Sequence, residues 1–516
     1  MNDAHIELKP GDATLADLRK IWYGAGVSLS AGAYAAIDAS AASIARIVAS
    51  GKTVYGVNTG FGLLANKSIE PARLAELQRN LVMSHACGLG EPLERRIVRL
   101  VMALKVVGLG RGHSGVRRIV VDQILAMLEK DALPVIPSQG SVGASGDLAP
   151  LAHLSAAMLG EGCIQLKNET LPAGEALQKI GLSPLELGPK EGLALLNGTQ
   201  VSTAIALDAA FRAENVFGCA LVAGAMSVDA LQGSDAPFDA RLHELRGQPG
   251  QIAVASFLRK AMTGSEIRQS HIECDRVQDP YSFRCQPQVM GAALDMLKEA
   301  ARTLEIEANA VSDNPIVFPD TDEALSGGNF HAEPVAFAAD KITMALCEVG
   351  SISERRFAVL VDPKMSGMPA FLVEDGGVNS GFMIPQVTAA ALVAENRSLA
   401  FPASVDSVPT SANQEDHVSM ATGAARKAGT VALNAAGIIA VELMAAAQGI
   451  DFHKPHRTSP ALQAAYAKVR DCTAFLEKDR YLAHEMQSMQ RLVFDGEFFA
   501  PKELQAMTRA LFDPAR

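Results

Sequence analysis

The stretch EDHVSMATGAARKAGTVALNAAGIIAVELMAAA, Glu415 to Ala447, contains no proline and is dominated by alanine and branched aliphatic residues. Wound as one α-helix it would span on the order of 50 Å. Its most apolar part, Val431 to Ala447, is broken by Asn434 and Glu442, which makes a poor membrane span and a good buried helix. Small side chains along such a rod let neighbouring helices approach closely, so the stretch reads as the core of a bundle. Glu415 and Asp416 would open that helix, where acids complement the positive end of its dipole.

The same periodicity extends through the chain. In PLERRIVRLVMALKVVGLG, Pro92 is placed for a first turn and Leu93, Ile97, Leu100, Leu104 and Val107 share one face. Ile37, Ile44, Ile47 and Val48 recur at helical spacing, with Gly51 at the position of a C-terminal cap. Further helical patterns cover 198–230, 286–311, 333–358 and 385–400, and strand-like alternation is sparse. Hydrophobic residues make up 48% of the 516 but aromatic ones only 5%, with Trp22 the single tryptophan, so aliphatic side chains must do the packing. These features predict a mainly α class.

Composition also bounds the function. A net charge of −11 argues against nucleic acid as a partner, which would require basic surface. The seven cysteines, Cys87, Cys163, Cys219, Cys274, Cys285, Cys347 and Cys472, follow no framework spacing and read as reduced thiols, which favours a cytoplasmic location. The N-terminal segment lacks the apolar core of a signal peptide, and no membrane association is expected.

Four long loops rich in glycine, proline and asparagine interrupt the helical pattern: 55–68, 136–150, 312–331 and 405–416. Loops of that length inside a helical protein are commonly functional. Familiar templates do not account for them. GRGHSG, Gly110 to Gly115, matches a dinucleotide fingerprint, but a helical segment precedes it where a strand is required, so a helix–helix turn is the plainer reading. The eleven histidines show no zinc spacing, so no metal is expected, and His453 and His456 in DFHKPH read as surface residues. Ser145 is not in a nucleophile elbow, because Gly143 stands directly before Ala144.

The segment GSVGASGDLAP, Gly140 to Pro150, allows a different chemistry. Glycine permits backbone conformations closed to other residues, so Gly143 and Gly146 could let the Gly146 nitrogen approach the Ala144 carbonyl carbon. Ring closure with loss of water gives an imidazolone, and loss of the Ser145 hydroxyl leaves an exocyclic methylidene. The product is an electrophile, a function that side chains do not supply.

The wider string GSVGASGDLAPLAH resembles the active-site signature of the aromatic amino acid ammonia-lyases. YGVNTGFG, LLNGTQ, VQDPYSFRCQPQVMGA, EANAVSDNP, SGGNFHAEP and TSANQEDHVSM resemble further motifs of that family, in its order and over nearly the whole chain. The resemblance implies a long central helix bundle with an N-terminal α-rich domain, 1–225, carrying the reactive loop, and a bundle domain, 226–516. It implies the cofactor 4-methylidene-imidazol-5-one (MIO), formed from Ala144, Ser145 and Gly146, and a homotetramer with composite active sites. Within the family the strings are most similar to histidine-specific members, which implies elimination of ammonia from L-histidine to give trans-urocanate.

Such an elimination needs a base, a carboxylate clamp and a side-chain reader beside the electrophile. By resemblance Tyr55 is the base. Arg284 is the clamp, its planar fork suited to a carboxylate, unless it serves an ordinary ion pair. Tyr281 and Gln278 line the site, and Phe330 packs on ring or substrate. Asn197 bonds the MIO carbonyl oxygen, and it also suits the N-cap of the helix that follows. His85 and Glu415 read the substrate imidazole, whose two ring nitrogens an ionised carboxylate can engage. Cys87, Phe283 and the segment DPKMSGMPAFLVEDGG depart from the histidine-specific pattern. The remaining alternatives are a tyrosine or phenylalanine ammonia-lyase, an aminomutase, a dinucleotide-dependent oxidoreductase and a non-catalytic helical scaffold.

Overall fold

The computed structural model describes residues 5–51, 53–59, 69–271, 277–498 and 502–512. Cys274 and most of the 55–68 loop lie outside them. The described chain is mainly helical, and its contacts divide it into two compact units, each assembled from separate stretches.

The first unit comprises Met1–Asp208, Ala301–Asp340 and Pro402–Arg426. Its core is the helix Arg95–Gly110, buried almost all round from Ile97 onward, against which Leu15–Trp22, Ala31–Ala49 and Arg118–Glu129 pack. Pro92 does not open that helix. It ends a short strand, Leu89–Pro92, that pairs antiparallel with Pro137–Gln139, the extended segment leading into the glycine-rich loop. Three other small sheets complete the unit: His5–Leu8 parallel to Gly26–Leu29, the antiparallel order Ala132–Pro134, Cys163–Leu166, Glu169–Pro172, and the hairpin Ile316–Phe318 with Glu323–Leu325. That hairpin gives the 312–331 loop structure of its own: Val317 is buried and packs with Ile44, Ile47 and Val57. GRGHSG is a turn between two helices, with His113 Nδ1 2.9 Å from the Val317 carbonyl oxygen.

The second unit comprises Ala209–Ala300, Lys341–Phe401 and Lys427–Arg516, and most of the helices Gln200–Leu231, Gln286–Ala308, Glu333–Val361 and Ala421–Asp451 lies within it. Alanine and glycine let these rods touch: a Cβ on Gly449 would stand 2.8 Å from that of Ala230. The helices Gln200–Leu231 and Ala421–Asp451 are long and apolar enough to cross a membrane, yet 89% of each apolar window is buried inside the protein. Glu442, fully buried, is neutralised by Arg356 through two contacts of 2.6 and 2.8 Å and accepts further hydrogen bonds from Ser227 and Ser353. The last of the long helices starts at Ala421, not at Glu415. Positive φ at Ser411, Ala412, Asn413 and Met420 keeps the preceding segment out of the helix. His453 is half-buried, its Nε2 2.8 Å from the Ala230 carbonyl oxygen, and burial pushes its pKa down.

Candidate active site

Three helices of the first unit, Leu74–His85, Leu148–Met158 and Glu191–Leu196, pack on one another, and each presents a candidate residue at one end. His85 closes the first, half-buried, with Nδ1 3.0 Å from the Ser84 hydroxyl. Ser145 precedes the second, with Gly146 and the N-cap Asp147 between them. Asn197 caps the C-terminus of the third, its N–H bonded to the Leu193 carbonyl and its own backbone extended. Asn197 is therefore not the N-cap of the next helix, and its side chain is left for other work.

That side chain donates from Nδ2 to the Ser145 carbonyl oxygen at 2.7 Å. The carbonyl in question is the one that ring closure at residues 144–146 would retain, so a donor already sits where charge would develop. The turn around it is forced. Ser145 holds φ = +55°, a strained value for a residue with a side chain, between Gly143 at +82° and Gly146 at +81°. Any Cβ on Gly146 would collide with the Gly198 backbone, whose nitrogen would stand at 2.7 Å. The two backbones meet there as an isolated bridge, and the Asp147 N–H donates to the Gly198 carbonyl at 2.8 Å.

Asp147, fully buried, fixes the exit from the turn. Its carboxylate accepts from the hydroxyls of Ser141, Ser202 and Thr422 and from the Ser202 amide at 2.7–2.9 Å. Behind Asn197 lies Lys105, also buried, whose Nζ donates to the carbonyls of Asn197 at 2.8 Å and Ala194 at 3.2 Å. Burial pushes its pKa down to about 7. Asp313 and Asp147 oppose that shift, and the neighbouring Lys190 adds to it. The EANAVSDNP motif braces the same corner, since Ser312 Oγ accepts from the Thr199 amide at 3.2 Å and from Gln200 Nε2 at 3.1 Å.

Glu415 comes from the 405–416 segment and meets the turn from another side. Its Oε1 accepts from the Ser145 hydroxyl at 2.8 Å, while Oε2 is held by Thr410 at 2.9 Å and Ser411 at 2.5 Å. Ser145, Asn197 and Glu415 thus form one hydrogen-bonded group. Tyr55 lies half-buried in the same unit, on a turn anchored by Val57 in the core and by the Val54 amide donating to Asn58 Oδ1 at 2.8 Å. Phe330 is half-buried at the end of a loop that Asn314 ties down through the Gly327 amide at 2.7 Å.

Gln278, Tyr281 and Arg284 belong to the second unit. Gln278 and Tyr281 are exposed, and the Arg284 guanidinium stacks over the Tyr281 ring at 4.5 Å. Buried Phe283 anchors this short helix, and its carbonyl accepts from Gln286 Nε2 at 3.1 Å. Arg284 Nε is buried without a hydrogen-bond partner.

Sequence reasoning missed Asp147 and Lys105. Lys105 did leave a signal, a lone cation inside an otherwise apolar helix, and such residues are rarely fully buried without a specific partner.

Comparison with known proteins identifies the family of the chain. A family model described as aromatic amino acid lyase matches residues 13–471. The chain is 60% identical to histidine ammonia-lyase of Paracidovorax citrulli (strain AAC00-1) over 96% of this chain and 97% of that protein. The crystal structure of histidine ammonia-lyase from Trypanosoma cruzi superposes with a TM-score of 0.91 at 40% identity, covering 99% of this chain and 98% of that one. Tyrosine aminomutase from Streptomyces globisporus superposes equally well, at 0.91, with 34% identity and 99% of both chains covered. With the family matched across most of its length and the glycine-braced Ala-Ser-Gly turn in place, the chain belongs to the aromatic amino acid lyase family.

Proposed function

We propose that the protein is a carbon–nitrogen lyase that eliminates ammonia from L-histidine to give trans-urocanate. The observation that carries this reading is the strained turn at Ser145, gripped by Asn197 and Glu415, in a chain 60% identical to a histidine ammonia-lyase. The residues fit the MIO group: small neighbours at 144 and 146, a positive φ at 145 and a donor on the carbonyl that the ring would keep. Formed from Ala144, Ser145 and Gly146, that group would supply the electrophile that engages the substrate amine and makes nitrogen a better leaving group.

The chain's own residues do the rest. Asn197 stabilises negative charge at the carbonyl oxygen, with Lys105 holding the Asn197 backbone from behind. Tyr55 removes the β-proton. Arg284 receives the substrate carboxylate as a bidentate fork, and Gln278, Tyr281 and Phe330 line the site. His85 and Glu415 read the imidazole, Glu415 accepting from a ring N–H once Ser145 no longer occupies its Oε1.

A homotetramer with composite sites accompanies this reading. It is supported by exposed apolar side chains on long elements: Phe337 and Met344 on Glu333–Val361, Ile384 and Val387 on Met383–Leu399, and Phe401 and Val405 beyond it. A cytoplasmic location accords with the free cysteines among the described residues.

A panel of histidine, tyrosine and phenylalanine, followed by the ultraviolet absorbance of each unsaturated product, tests the assignment. Histidine should turn over fastest, by on the order of 10²-fold or more if the imidazole is read by hydrogen bonds. Faster turnover of tyrosine would overturn the histidine assignment, and accumulation of a β-amino acid would reassign the chain as an aminomutase.

A further inference from the structure

We propose that His331, Glu333 and His417 form a binding site for a divalent transition-metal ion, with Zn2+ as its representative. One ligand atom from each residue lies within 4.8 Å of the other two. Tetrahedral zinc with bonds of 2.0–2.1 Å holds its donors about 3.3 Å apart, so small side-chain rotations suffice to close the set.

The fold positions each donor by a separate device. The His331 amide closes a turn onto the Gly328 carbonyl at 2.9 Å. Glu333 is the first residue of the helix Glu333–Val361. His417 is held beside buried Val418, whose amide donates to Ser407 Oγ at 2.8 Å.

Two further observations point to a cation. Glu333 Oε2 is buried and has no hydrogen-bond partner, an arrangement that costs free energy unless a positive charge completes it. His331 Nε2 also lies 3.2 Å from the His417 carbonyl oxygen. A histidine whose Nε2 proton is committed to a carbonyl keeps its lone pair on Nδ1, the outer-shell arrangement that orients metal-bound imidazoles.

Two imidazoles and one carboxylate suit Zn2+, Co2+ or Ni2+, and leave a position open for water or a small ligand. They suit Mg2+ and Ca2+ poorly, since those ions take oxygen donors. The spacing explains why the motifs gave no hint: His331 and His417 stand 86 residues apart. The proposal is independent of the ammonia-lyase reading and is measured by binding.

Protein stripped with EDTA and dialysed would be titrated with Zn2+ by calorimetry, alongside His331→Ala/His417→Ala and Glu333→Gln. The wild type should bind one Zn2+ per chain at this site, and the double variant should lose that equivalent or weaken at least about tenfold. Glu333→Gln should weaken binding less, Mg2+ should not compete, and affinity should fall as pH is lowered because imidazole binds metal only when neutral. Should the double variant fail to fold, His417→Gln, at an exposed position, takes its place. Unchanged stoichiometry and affinity in the variants would assign the zinc to thiols and overturn the proposal, as would a wild type that binds none.

Discussion

The turn Gly140–Asp147 and the helical run Val431–Asp451 are held in place by opposite means. The helix repeats one interaction: alanine and aliphatic faces meet neighbours turn after turn, and its few buried polar side chains, Asn434, Glu442, Gln448 and Asp451, are each met by a partner from another segment. Nothing repeats in the turn. Gly140, Gly143, Ser145 and Gly146 all take positive φ, and Asn197, Asp147 and Glu415 each make a bond that no other residue duplicates. Regular packing spreads stability over many residues, whereas the strained turn concentrates chemistry in a few. Substitutions in the turn should therefore remove activity while sparing the fold, and substitutions at the helix's buried Arg356–Glu442 pair should do the reverse.

The largest effect is expected from Ser145→Ala. Turnover should fall by about 10³-fold or more, the scale seen when a reacting group is deleted, while circular dichroism keeps its helical signal. Wild-type turnover in that variant would break the comparison at its root. Next is Arg356→Met, which strands the fully buried Glu442 carboxylate and should cost about 3–5 kcal/mol in chemical denaturation. Adding Glu442→Leu should restore most of that loss, and failure to restore it would mean that the stranded carboxylate is not the source of the cost. Asn197→Ala should lower kcat by about 10²–10³-fold with little change in KM, because its bond strengthens only as charge develops on the carbonyl. A change confined to KM would make Asn197 a binding residue instead.

The smallest effect concerns Lys105. Its pKa in the folded protein, about 7, is depressed below the lysine value, so its contribution to stability is full above the unfolded pKa and declines as pH falls through the folded one. From pH 7 to pH 9 the wild type should gain about 1–2 kcal/mol that Lys105→Met does not. Parallel pH profiles of the two denaturation midpoints would contradict this.

What could be read in advance follows the same division. The helices announced themselves through periodicity, and Gln200–Leu231, Gln286–Ala308 and Glu333–Val361 lie close to the patterns in the sequence. Boundaries failed where special backbone intervened: Pro92 ended a strand and Glu415 stayed outside its helix, since positive φ at four nearby residues leaves no periodic trace. Asn197 shows the same limit in a single residue. LLNGTQ suits an N-cap, yet the chain uses it as a C-cap and frees its side chain for Ser145. Asp147 was illegible because its partners, Ser141, Ser202 and Thr422, are brought together only by the fold.

The turn's geometry is proposed to make the Ala144-Ser145-Gly146 backbone into a reagent. Mass spectrometry of the intact protein, followed by the proteolytic fragment spanning residues 144–146, tests it directly. The chain should be lighter by two waters, with the loss confined to that fragment and absent from Ser145→Ala. An unmodified fragment in active wild-type protein would contradict it.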